Sequence, residues 1–208
     1  MKAKIFVGLI ALVVSVNVNA GLFGPGKFEI SQPDNRFSEN KSEVWTSSNN
    51  RISKRSIAGG VHVDASGVFI NPMVVKDPGT GKVIGLALNL VNVTSYDTAF
   101  GSPNTLGAMQ EIAFLINETT PIVLPVEKGD STWSDGVSYN TVTKSASSDI
   151  LETGIARLTV EQYQQIIAAE SIAVKITGSK RSVTYEAKHI AKTFIPNLQS
   201  FYEQKVKE

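Results

Sequence analysis

Lys82-Val83-Ile84-Gly85-Leu86-Ala87-Leu88-Asn89-Leu90-Val91-Asn92-Val93 alternates with a period of two. Ile84, Leu86, Leu88 and Leu90 fall on one face; Val83, Gly85, Ala87, Asn89 and Val91 fall on the other. Successive strand side chains point to opposite faces, so this is a β-strand with one bulky, core-facing side and one mixed side. Before it, Asp77-Pro78-Gly79-Thr80-Gly81 is dense in turn chemistry. Proline presets φ there, and glycine admits positive φ. The apolar run 72–76 precedes the turn, so residues 72–93 read as a β-hairpin.

Working outward from the hairpin, more short strands follow. Val61, Val63 and Ala65 alternate with His62 and Asp64, and Ser66-Gly67 offers a turn before Val68-Phe69-Ile70. Ile112, Phe114 and Ile116 are in register within a short apolar run. In the next run, Pro121 and Pro125 cannot donate to a ladder, so it belongs at a sheet edge or leaves the sheet at Pro125. Residues 127–136 then read as a polar loop, and 137–143 alternates again as a candidate strand.

The last third changes rhythm. Thr159 and Gln162 form a capping box ahead of Val160, Tyr163, Ile166 and Ile167, which share a helical face. Ile172, Val174 and Ile176 mark a strand, and Val183, Tyr185 and Ala187 mark its return after 178–181. Ile190, Phe194, Leu198, Phe201 and Tyr202 make a helical stripe crossed by Pro196. Because the stripe stays in phase across Pro196, one bent helix is expected. The predicted fold class is α+β: mainly antiparallel β, sandwich-like or a curved sheet, with a C-terminal helix–strand–strand–helix unit.

Residues 1–20 carry the pattern of a cleaved export signal: basic Lys2 and Lys4, an uncharged apolar run over 5–14, then Val18-Asn19-Ala20. The run ends too early, at Ser15 and Asn17, for the ~20 apolar residues of a membrane anchor. The expected organisation is a signal peptide over 1–20, a flexible or weakly structured segment over 21–56, and one β-rich domain over 57–208 ending in an amphipathic helix. Two of the chain's 20 Lys+Arg and none of its 19 Asp+Glu fall in 1–20, which leaves 18 against 19, a formal charge of −1. Nucleic-acid binding calls for a basic excess, and no such partner is expected. No transmembrane helix is expected in the mature chain. The chain has no cysteine, so disulfides, Cys–zinc sites and thiol nucleophiles are ruled out.

Few motifs promise chemistry. Gly79-Thr80-Gly81-Lys82 resembles the end of a phosphate-binding loop, but that loop needs Gly where Lys76 stands and Ser or Thr where Val83 stands. Ser38-Glu39-Asn40-Lys41 has the spacing of penicillin-interacting serine enzymes without their companion elements. His62 and His189 are the only histidines, and neither has a second histidine at i+4. Arg51, Lys54 and Arg55 read as a solvated basic loop. Asn40, Asn92 and Asn117 are formal glycosylation acceptors, relevant only in a eukaryotic secretory pathway.

The candidate ligand-binding residues are Asp130, Trp133 and Asp135. Carboxylates suit calcium, and an indole suits a sugar or an apolar ligand. The competing reading packs Trp133 into the core. No cofactor is expected. The functional expectation is an exported, non-catalytic binding or accessory protein of the bacterial envelope, periplasmic or secreted, with an unidentified envelope protein or ligand as partner. A secreted hydrolase with a non-contiguous site and a small outer-membrane β-barrel are the alternatives.

Overall fold

The computed structural model describes residues 27–34, 42–53, 67–100, 105–134 and 136–207. Residues 1–20, expected to be an export signal, residues 57–66 with His62, the 38–41 motif, Lys54, Arg55 and Asp135 lie outside the described residues. The strands are β1 (Glu29–Ser31), β2 (Glu43–Ser48), β3 (Gly67–Lys76), β4 (Val83–Asp97), β5 (Met109–Ile116), β6 (Thr120–Trp133), β7 (Ser138–Asn140), β8 (Ser145–Arg157), β9 (Ile172–Gly178) and β10 (Ser182–Tyr185). The helices are α1 (Val160–Ile167) and α2 (Phe194–Phe201), the latter running into a π-type turn at Tyr202–Val206.

Among the described residues every pairing is antiparallel, and the spatial order is β1-β2-β3-β4-β8-β6-β5-β9-β10, with β7 attached to β8. The chain is thus α+β and mainly antiparallel sheet, as its periodicity predicts. No helix among the described residues is long and apolar enough to cross a membrane.

β6 joins two halves of this sheet. Its residues 120–125 pair with β5, and from Val126 onward it pairs with β8. Pro121 and Pro125 sit in the first half, where β6 pairs with β5 alone among the described residues. Their missing N–H groups forfeit no ladder bond on the unpaired side. The inner faces of both halves share one core. Leu86, Leu88 and Leu90 of β4 and Ile112 and Phe114 of β5 meet Tyr163 of α1 and Phe194 and Phe201 of α2. Phe69, Val91 and Val93 form a smaller cluster with Leu151 on the opposite face. Ile84, in phase with the core leucines but beside the exposed turn, is 60 % exposed.

Three expectations need correction. First, part of the segment expected to be weakly structured is built into the sheet. β2 pairs with β3, and Ile52 is fully buried. Its N–H donates to the Val68 carbonyl, while its own carbonyl accepts from Ala191 N at 2.7 Å. Asn50 cross-links the core. Its N–H donates to Asn71 Oδ1, its Nδ2 to the Ile70 carbonyl, and its Oδ1 accepts from Asn197 Nδ2. Arg51 is likewise buried, its guanidinium lying over Phe69.

Second, residues 127–133 are strand rather than loop. A bulge between Glu127 and Asp130 absorbs Lys128 and Gly129, and pairing with β8 then resumes. Polar composition follows from exposure here, while the backbone is satisfied by the ladder.

Third, the C-terminal stripe is not one bent helix. Ile190 is extended, and α2 begins at Phe194 after Thr193, which puts Pro196 at the third helical position. N–H groups of the first turn have no intrahelical acceptor, so proline forfeits nothing there. α1 follows the sequence reading: the Thr159 side chain accepts from Gln162 N, and the Gln162 side chain accepts from Thr159 N.

Candidate functional site

β4, β8 and β6 run together and end in a common lobe that also carries β7. Antiparallel partners face the same side of a sheet, so the register assigns each side chain. Trp133 lies opposite Ile150, Tyr96 opposite Ser148, and Tyr139 opposite Ala146. Ala146, Ser148 and Ile150 alternate onto one face of β8, so the three rings share that face. Tyr96 and Trp133 reach towards each other across β8, with centroids 5.7 Å apart and planes at 71°, an edge-on pair. Ile150 between them is buried, whereas Trp133 is 55 % and Tyr139 63 % exposed.

Trp133 therefore stands at the surface rather than in the core. Asp130 does not join it. Three positions apart on one strand, the two residues face opposite sides, and Asp130 Oδ1 accepts from Ser131 N at 2.7 Å. Asp97 and Asp149 share the reverse face with Asp130. Asp149 accepts from Ser95 Oγ at 2.6 Å, and Asp97 from Ser145 Oγ at 3.1 Å. Hydroxyls border the rings: Ser134 Oγ and Ser148 Oγ are 3.1 Å apart, and Ser134 Oγ accepts from Asp149 N. Among the described strand residues the lobe thus has an aromatic face without charged side chains and an acidic reverse face.

The root of the lobe is held by Glu152, a residue the sequence reading passed over. It is fully buried and lies opposite Asn92 on β4. Its Oε2 accepts from Asn92 Nδ2 at 2.6 Å and from Leu106 N at 3.1 Å, and its Oε1 accepts from Gly107 N. A buried carboxylate is tolerable when hydrogen bonds replace its hydration. Gly107 has φ +77°, and a Cβ there would run into Ser179 and Lys180. The β9–β10 turn closes over the same loop, with Lys180 N donating to the Leu106 carbonyl and Arg181 Nε to the Thr105 carbonyl. The sequence signal was available: one carboxylate on the inner alternation Ile150, Glu152, Gly154, Ala156.

The other sequence candidates have structural places. Residues 77–82 turn the β3–β4 hairpin. Bonds from the Thr80 hydroxyl and backbone, with a further one from Gly79, hold the Asp77 carboxyl below its ordinary value. His189 is exposed in a short 3-10 turn, Ala187–His189. Asn92 is buried in the Glu152 cluster, and Asn117 Oδ1 accepts from the backbone of Glu170 and Ser171. Tyr163 donates to the Leu198 carbonyl, and burial pushes its phenol well above the usual tyrosine value. A shallow groove of about 590 Å³ between α1 and α2 is lined by Gln164, Ile167, Ala168, Gln199 and Glu203. Among the described residues no three His, Asp or Glu side chains cluster to hold a metal. No family model, curated protein or solved structure matches the chain.

Proposed function

We propose that this chain is an exported, non-catalytic binding or accessory protein of the bacterial cell envelope, and that Trp133, Tyr96 and Tyr139 meet its partner. The observation that carries this reading is the exposed Trp133 edge-on to Tyr96, on paired strands rather than a loop. Core packing does not require that indole at the surface, and contiguous exposed apolar surface marks interaction sites. The Glu152 bonds tie β8 to β4 and to the 106–107 loop, and placement of the rings on paired strands lowers the backbone ordering cost of binding. Export rests on the three-part pattern of residues 1–20.

Two measurements test the proposal. Osmotic shock of cells expressing the full chain is expected to release a protein whose mass starts at Gly21; a chain retained in the cytoplasm at full mass refutes export. Purified wild-type protein is expected to co-sediment with native envelopes, and Trp133→Ala with Tyr96→Ala to abolish this. Equal sedimentation of wild type and variant refutes the aromatic contact.

A further inference from the structure

We infer that the aromatic face takes an uncharged stretch of an envelope polysaccharide; this rests on the reading above. A pyranose presents a face of C–H groups and a rim of hydroxyls. The C–H face suits the aromatic rings, and the rim suits hydroxyls that both donate and accept. Both features occur together on the lobe. Trp133, Tyr96 and Tyr139 supply the rings, and Ser134 and Ser148 lie beside them.

The charge pattern points the same way. Among the described strand residues of the lobe the acids Asp97, Asp130 and Asp149 occupy the reverse face, and the paired positions that carry the rings bear no charged side chain. An anionic membrane would call for lysines and arginines there. The shape favours a polymer over a monosaccharide. The rings stand opposite residues 150, 148 and 146 of β8, a row spanning about 13 Å along the strand. That is longer than one sugar ring, and the platform is open where a small ligand would need a cleft.

The test uses the full mature chain, protein-free peptidoglycan sacculi, and the soluble neutral oligosaccharides chitohexaose, cellohexaose and maltohexaose. Wild type is expected to pellet with sacculi and to be displaced by at least one oligosaccharide. Trp133→Ala and Tyr96→Ala should each reduce the bound fraction at least tenfold, Trp133→Phe should restore part of it, and thermal midpoints should stay within ~2 °C of wild type. Binding only to protein-containing envelopes, still dependent on Trp133, overturns the saccharide while keeping the aromatic contact. Trp133-dependent binding to anionic phospholipid vesicles without saccharide binding also overturns it, in favour of a membrane. Loss of Trp133 dependence everywhere overturns both readings.

Discussion

Glu152→Gln tests whether the aromatic lobe is held by its root. All three partners of this carboxylate are donors, two of them backbone N–H groups that no side-chain substitution removes. Glutamine brings one oxygen and one NH2. If its oxygen keeps Asn92 and Leu106, its NH2 confronts the Gly107 N–H, donor against donor. Leaving one buried donor unpaired costs about 1–3 kcal/mol, and two further bonds lose charge assistance at about 1 kcal/mol each. Burying an amide in place of a carboxylate returns part of that. The net loss is about 2–4 kcal/mol, and with a urea slope of about 2 kcal/mol/M the midpoint should fall by ~1–2 M. Urea titration gives the global number, and amide exchange at Leu106 and Gly107 gives the local one. A loss below about 0.5 kcal/mol, or unchanged exchange at those amides, would refute the reasoning.

Further outcomes follow from single contacts. Gly107→Ala places a Cβ at φ +77° against Ser179 and Lys180 and should cost about 1–3 kcal/mol in equilibrium unfolding; a neutral result means the loop relaxes freely. Pro196→Ala should change stability by less than about 1 kcal/mol, because Pro196 is in the first turn of α2; a gain near 3 kcal/mol would mark a helix interior instead. The Asp77 carboxyl has a lowered folded value, so its contribution is present above the unfolded value of about 3.9 and is lost as pH falls through the lower folded one. Protection of the Gly79 and Thr80 amides, relative to their intrinsic exchange rates, should therefore fall below about pH 4, and Asp77→Asn should remove that pH dependence.

The legible parts of this fold are those whose signal is local. The 82–93 alternation, the 77–81 turn, the Thr159–Gln162 capping box and the inward triplet Ile172, Val174, Ile176 each report their own structure. β8 was not legible, although it pairs along its length with β4 and with β6 or β7. Its inner alternation holds a carboxylate and two small residues, Gly154 and Ala156, because β6 packs closely there. A Cβ on Gly154 would meet Val126. The 43–53 segment was hidden similarly. Ser47, Asn50 and Arg51 are buried, and their partners Pro72, Ile70, Asn71 and Phe69 lie 18 to 25 positions away in sequence. The candidate site was half legible. Trp133 stood out by residue type, but Tyr96 and Tyr139 reach the same face only through register with β8.

By itself the sequence determined the β-rich class, the hairpin and the α1 cap, because alternation, capping and turn chemistry act between near neighbours. Tertiary structure alone decided that 127–133 is strand and that Pro196 starts a helix. It also put Asp130 and Trp133 on opposite faces and placed three rings from distant parts of the sequence along one face of β8. Those outcomes depend on which strand supplies the hydrogen bonds, and a strand's partner is chosen by the whole core rather than by its own residues.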